Sequence, residues 1–239
     1  VSFVATLRIW LASARANLVP MVALWALAVV LVSAYCLLPG FARALEPLRE
    51  WQVRSGWIGP FLNRVAFCGV LPGVFLLSIA SIRPHRPLVV VVCESLWNGA
   101  LGVAGDWSFR MLNVVFGNGT DWTTLLLKTA ADQFVWTVFF VSPATAAFFF
   151  WIGRDCSWRR TRHEWPQRFY RQLVLPNLLP NWCVAIPVNL VIYAFPLPLR
   201  IHILGLTSAF WMLMCLQIGA RTGISGSCAT PASSYRSSS

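Results

Sequence analysis

Residues 87–110 read PLVVVVCESLWNGALGVAGDWSFR, twenty-four residues in which Glu94 and Asp106 are the only charges before the closing Arg110. A bilayer core about 30 Å thick takes roughly 20 helical residues at 1.5 Å each, so the stretch is long enough to cross one. It lacks the apolar–polar alternation of a barrel strand, and lipid leaves no unpaired backbone outside a helix or a closed barrel. At 100° per residue Ser95, Gly99, Gly102 and Asp106 fall within about 60° of one another, with Glu94, Asn98, Leu101 and Gly105 in the adjoining stripe.

The rest of the chain repeats the apolar theme. Hydrophobic residues make up 57% of the 239, charged residues only 11%, and the mean hydropathy is +0.64. A soluble domain of this length is not built that way. Windows of spanning length are expected at Leu18–Pro39, between Arg64 and Arg83, at Pro87–Arg110, Gln133–Gly153, Gln172–Leu199 and Ile201–Ala220. The fold class is therefore an all-α polytopic transmembrane bundle of about six spans, four at the fewest. Residues 1–64 would form an N-terminal span plus a polar bridge, 65–221 the membrane-embedded bundle, and 222–239 a disordered Ser-rich tail.

The bridge from Phe41 to Trp57 carries Phe41, Leu45, Leu48 and Trp51 at helical spacing, which suits either an interfacial helix broken at Pro47 or a connecting loop. Gly117-Asn118-Gly119 predicts a turn, with Thr120 or Asp121 capping the next helix. Asn118 also begins a glycosylation sequon. Before the first span lie Arg8 and Arg15 and no acid, which fits an organellar presequence and ordinary positive-inside flanking equally well.

The net charge of +11 would suit nucleic acid, but the membrane accounts for it more economically. Twelve basic residues fall on the side holding both termini and seven on the other, which places both termini on the cytoplasmic-type side. Arg159, Arg160, Arg162 and Arg168, interleaved with Trp158, Trp165 and Phe169, are read as contacts to anionic headgroups of the lipid bilayer. Seven cysteines lack CxxC or metal spacing, and Cys36, Cys68, Cys93, Cys183 and Cys215 read as buried small hydrophobes. Neither a metal nor another cofactor is expected.

Two polar features bear on function. An acid at bilayer depth is costly enough that Glu94 is read as a functional group, whereas Asp106 has Arg110 one turn later and suits a structural pair. The small residues Ser95, Gly99, Gly102 and Gly105 suit close helix packing. Pro176, Pro180, Pro187, Pro196 and Pro198, together with Asn177, Asn181 and Asn189, suggest an interrupted helix that presents backbone to a solute, or a kinked structural one. No HExxH, GxSxG or phosphate-cradling loop is present, and no catalytic residue is expected.

The second half also resembles the Mpv-seventeen/PMP-twenty-two family of peroxisomal and mitochondrial inner-membrane proteins. GALGVAGDWSFRMLN at 99–113 is similar to that family's glycine-rich helix, with Val103, Asp106 and Ser108-Phe109 departing from its usual Pro, His and Trp-Tyr. Lys128 and Asp132-Gln133 match its Lys followed by DQ, with Pro143 and the Phe148–Phe150 run downstream. Tyr170, Asn181-Trp182, Pro187, Pro196, Arg200 and Trp211 follow in order. The resemblance covers about 87–221 and implies a small all-helical channel protein of a mitochondrial inner or peroxisomal membrane, without catalytic activity.

The expectation is thus a channel for small solutes or ions, self-associating or not, with Glu94, Asn98, Asp106, Asp132, Gln133, Asn177 and Asn181 lining or gating the path. Acids there would favour cations. The alternative is a non-conducting scaffold that uses the small-residue stripe as its interface.

Overall fold

A computed structural model describes residues 18–78 and 86–222. The arginine-bearing N-terminal flank and all but the first residue of the expected tail lie outside those residues. The described chain is helical throughout. α1 is Leu18–Leu37, α2 Pro39–Ala44, α3 Glu46–Ser55, α4 Ile58–Ser78, α5 Pro87–Phe116, α6 Trp122–Ile152, α7 Trp158–His163, α8 Leu175–Ala194 and α9 Leu197–Thr222.

Three of these, α4, α5 and α6, are long and apolar enough to cross a membrane, and a fourth candidate is α1 joined to α2–α3 across a 97° bend. The bend sits where Pro39 opens α2 after an extended Leu38, because proline cannot donate back to the preceding turn. The polar bridge is therefore helical, α2 and α3, and breaks at Leu45 with Pro47 in the first turn of α3. α8 and α9 contribute shorter apolar stretches, Asn181–Ala194 and Leu197–Phe210, so six full spans are not counted among the described residues.

Two expected span starts move well outward, and α5 runs on to Phe116 rather than ending at Arg110. α4 starts at Ile58 rather than after Arg64, and α6 starts at Trp122 rather than at Gln133. In both, charge was taken to end a span, but Arg64 hydrogen-bonds Ser208 at 2.8 Å and Asp132 is bonded by Gln133, so each stays inside. Polar partners on a neighbouring helix or turn replace water.

Of the two expectations for the proline-rich segment, an interrupted helix or a kinked structural one, the described chain forms a continuous helix. α8 runs through positions 176, 180 and 187, and the chain leaves helix only at Phe195-Pro196. Among the described residues three π-helical stretches lie just ahead of a proline, one of them before Pro176 of α8. Val65–Val70 precedes Pro72, Ala131–Val141 precedes Pro143, and Tyr170–Val174 precedes Pro176. In each, the residue before the proline donates five residues back: Leu71 to Ala66, Ser142 to Thr137, Leu175 to Tyr170. Widening the turn moves the carbonyl that the proline ring would strike, so the helix bulges instead of breaking.

Packing is inverted relative to a soluble bundle. Val30, Leu96, Val114, Phe139 and Phe140 are exposed, while Gln52, Asn63, Asp106, Lys128, Asp132, Gln133 and Arg200 are buried. An apolar exterior around a polar interior is what a lipid solvent selects. The apolar part of the core joins Phe109, Leu125, Ile192, Tyr193, Phe195, Leu199 and Ile201 from α5, α6, α8 and α9, with Trp25, Leu31 and Tyr35 of α1 laid against it. The cysteine expectation holds for Cys68, which is buried, but Cys36 and Cys183 face outward. In lipid a small apolar thiol costs nothing there.

Candidate functional site

The polar residues fall into three separate groups. The first lies at the π-helical stretch of α6, where the wider turn buries Asp132, Gln133 and Thr137. Asp132 Oδ2 accepts from Gln133 Nε2 at 2.8 Å and from Asn189 Nδ2 of α8. The Tyr193 side chain lies beside the same carboxyl group. Gln133 Oε1 in turn accepts from Asn181 Nδ2 at 3.5 Å, and its backbone carbonyl accepts from Trp182 Nε1 at 3.2 Å. Asn181 is exposed whereas Asp132 is buried, so the seam runs from the outer surface of α8 into the bundle.

The second group belongs to the small-residue face of α5. Asn98 Nδ2 bonds the Cys68 carbonyl at 3.3 Å and the Glu94 carbonyl at 2.9 Å. Ser95 meets Gly69, Gly99 meets Phe61, and Gly102 meets Pro60 and Arg64. Ser95, Gly99 and Gly102 are thus consumed by α4 within the chain. Gly105 is looser, facing Ile201 and Leu204 at ordinary contact distance. Glu94 is only half-buried. Asp106 binds Arg110 Nε at 2.7 Å, the pairing its spacing suggested, and keeps Oδ1 buried without a partner.

The third group is at one end of the bundle, where α8 turns into α9. Arg200 spans the corner: Nε to the Phe195 carbonyl at 2.9 Å, Nη2 to the Tyr193 carbonyl at 3.1 Å, Nη1 to Asn113 Oδ1 of α5 at 2.8 Å. The carbonyls freed by Phe195-Pro196 find their donors in that guanidinium. Close by, Asp121 caps α6 by accepting from Thr124 N at 3.0 Å, and that N–H holds its carboxyl below the usual 3.8.

Of the expected path residues, Asp132, Gln133 and Asn181 come together, Glu94 and Asn98 share a different helix face, Asp106 is tied to Arg110, and Asn177 is exposed and bonds the Leu173 carbonyl of its own helix at 2.8 Å. The seven do not fall into one hydrogen-bonded network.

A polar contact that went unassigned is Asn63 Nδ2 to His202 Nδ1 at 2.7 Å, joining α4 to α9. The only signal in the sequence was that His202 is the sole ionisable group of its window. In the Arg-rich connection, Arg159, Arg162, Trp158 and His163 line an open groove on α7, while Arg160 is paired with Asp155 at 2.8 Å. Arg168 is exposed. Among the described residues no three His, Cys, Asp or Glu side chains gather to hold a metal.

No protein-family model, curated protein or solved structure matches the chain.

Proposed function

We propose that this chain is a multi-pass channel of the Mpv-seventeen/PMP-twenty-two type, passing small solutes or ions across a mitochondrial inner or peroxisomal membrane with both termini on the cytoplasmic-type side. α8 and α9 complete a bundle of six spans. The observation that carries the reading is the Asp132–Gln133–Asn181–Asn189 seam: a carboxylate and three amides joined in one line from the exposed Asn181 to the buried Asp132, in a helical bundle whose outside is largely apolar. Polar groups at that depth are expensive unless they serve each other or a solute. Amide and carboxyl oxygens of this kind can replace a cation's hydration shell, and the carboxylate raises the local cation concentration.

The resemblance supports the same reading. Its polar positions Asp132, Gln133, Asn181 and Trp182 meet in one network, and Asn113 and Arg200 meet in another. Residues 48, 49 and 87 apart in sequence, matched to one pattern, are thus neighbours. The scaffold alternative loses its main surface, because Ser95, Gly99 and Gly102 are already occupied by α4.

Proteoliposomes loaded with a cation-sensitive dye test the proposal. Wild-type protein should give cation influx above protein-free vesicles, and Asp132→Asn should lower it while circular dichroism stays unchanged. Vesicles containing folded wild-type protein that remain as tight as empty ones would refute it.

A further inference from the structure

Lys128 is the largest anomaly in the molecule. Its side chain is 0% exposed, and its ammonium nitrogen has no hydrogen-bond partner. It lies in electrostatic range of Arg200, itself only 2% exposed, so two buried cations share one region of the bundle. Bringing two like charges out of water is unfavourable unless something of opposite charge joins them.

The nearby acids do not fill that role. Asp132 is one turn further along α6, but its carboxylate is engaged by Gln133 and Asn189. Asp121 acts favourably on Lys128 from a distance, yet it is exposed and committed to the Thr124 N–H. Arg200 spends three N–H groups on the Phe195 and Tyr193 carbonyls and on Asn113. A guanidinium has five donors and an ammonium three, which leaves two and three uncommitted. That is donor capacity for a tetrahedral oxyanion, with the Arg fork and the Lys point charge contributing in their separate ways.

Asn113 is in the last turn of α5, Arg200 in the first turn of α9, and Lys128 about 9 Å along α6 from its first residue at 1.5 Å per residue. All three are at one end of the bundle, beside the exposed turn at 117–120. Phosphate is the anion that a membrane end meets, either free in solution or as a phospholipid headgroup.

We infer that Lys128 and Arg200, at the end of the bundle formed by α5, α6 and the α8–α9 corner, bind a phosphate group. The site is distinct from the Asp132 seam and stands whether or not that seam conducts.

Full-length protein, purified into uncharged detergent, is compared with Lys128→Met, which shortens the unbranched side chain by one atom and removes a buried charge. Inorganic phosphate, with chloride and sulfate at equal ionic strength as controls, is titrated while thermal unfolding is followed. In parallel, native mass spectrometry scores retention of phosphatidylglycerol against phosphatidylcholine added to both proteins. If the source is free phosphate, phosphate stabilises wild type beyond the chloride control and the effect weakens about tenfold or more in Lys128→Met, the scale of one charge-assisted hydrogen bond. If the source is a headgroup, phosphatidylglycerol is retained by wild type and lost from Lys128→Met. Equal behaviour of the two folded proteins in both arms overturns the inference. Should Lys128→Met unfold, Lys128→Arg replaces it: retained phosphate or lipid binding supports the site, and a loss of both in folded protein contradicts it.

Discussion

Gly102→Ala and Gly105→Ala, three residues apart on α5, should change stability in opposite directions. A Cβ at Gly102 would strike the Pro60 backbone carbonyl and lie 2.6 Å from Arg64 Cγ and 2.9 Å from Arg64 Cβ. Neither the carbonyl nor the root of the arginine side chain can swing aside, so α4 and α5 must separate. Overpacking of this kind costs about 1–3 kcal/mol, against which alanine recovers about 1 kcal/mol of helix propensity. The net expectation is a loss of about 1 kcal/mol, and Gly102→Leu should cost more. At Gly105 the nearest atoms to an added Cβ are Ile201 Cδ1 at 3.8 Å and Leu204 Cδ2 at 4.0 Å, ordinary contact distances. The propensity gain is then unopposed and the variant should be more stable by up to about 1 kcal/mol. Equilibrium unfolding in mixed micelles, titrated with a denaturing detergent and followed by circular dichroism, reads both changes. If Gly102→Ala were as stable as wild type, or Gly105→Ala less stable, the close α4–α5 approach described above would be wrong.

The remaining predictions concern single polar contacts. Asn189→Leu should destabilise by about 2 kcal/mol, because it strips a donor from the buried Asp132 carboxylate; the double variant Asp132→Leu/Asn189→Leu should recover much of that loss, read by the same unfolding assay. Arg200→Lys should act as a disruptive change despite the retained charge, since a single ammonium cannot reach Phe195, Tyr193 and Asn113 together; faster proteolysis at the α8–α9 corner would register it. The Asp121 cap should be pH-dependent in one direction only. Its carboxyl is held below 3.8 by the Thr124 N–H, so the stabilisation is complete above that value and is lost as pH falls through the lower folded-state value. Amide exchange at Thr124, measured from pH 6 down to about pH 2, should lose protection only at the acid end, and Asp121→Ala should remove the pH dependence.

How much of this was legible in the sequence differs from helix to helix. The start of α5 at Pro87, the Gly117–Gly119 turn and the Asp121 cap follow from local chemistry, and local chemistry is what a sequence displays. The Ser95–Gly102 face could be assigned to packing from its spacing, but not to α4 rather than to another subunit. The ends of α4 and α6 were misplaced because Arg64 and Asp132 were weighed as isolated charges; their partners Ser208 and Asn189 are 144 and 57 residues away. The prolines stay open in the sequence, between an interruption and a kinked structural helix, for a related reason. Their cost was counted against a rigid α-helix, whereas the π-helical turns ahead of Pro72, Pro143 and Pro176 absorb it without a break. Lys128 stands out in the sequence only as part of a family pattern, since nothing in its own neighbourhood of leucines and threonines announces a second cation from α9.

Single-channel recording in planar bilayers under a salt gradient tests the central claim most directly, with wild type, Asp132→Asn and Glu94→Gln compared side by side. The seam account predicts discrete conductance in wild type, a reversal potential shifted toward lower cation selectivity in Asp132→Asn, and a smaller shift in Glu94→Gln, whose side chain belongs to a different helix face. Silent bilayers from correctly inserted wild-type protein, or conductance indifferent to Asp132, would contradict it.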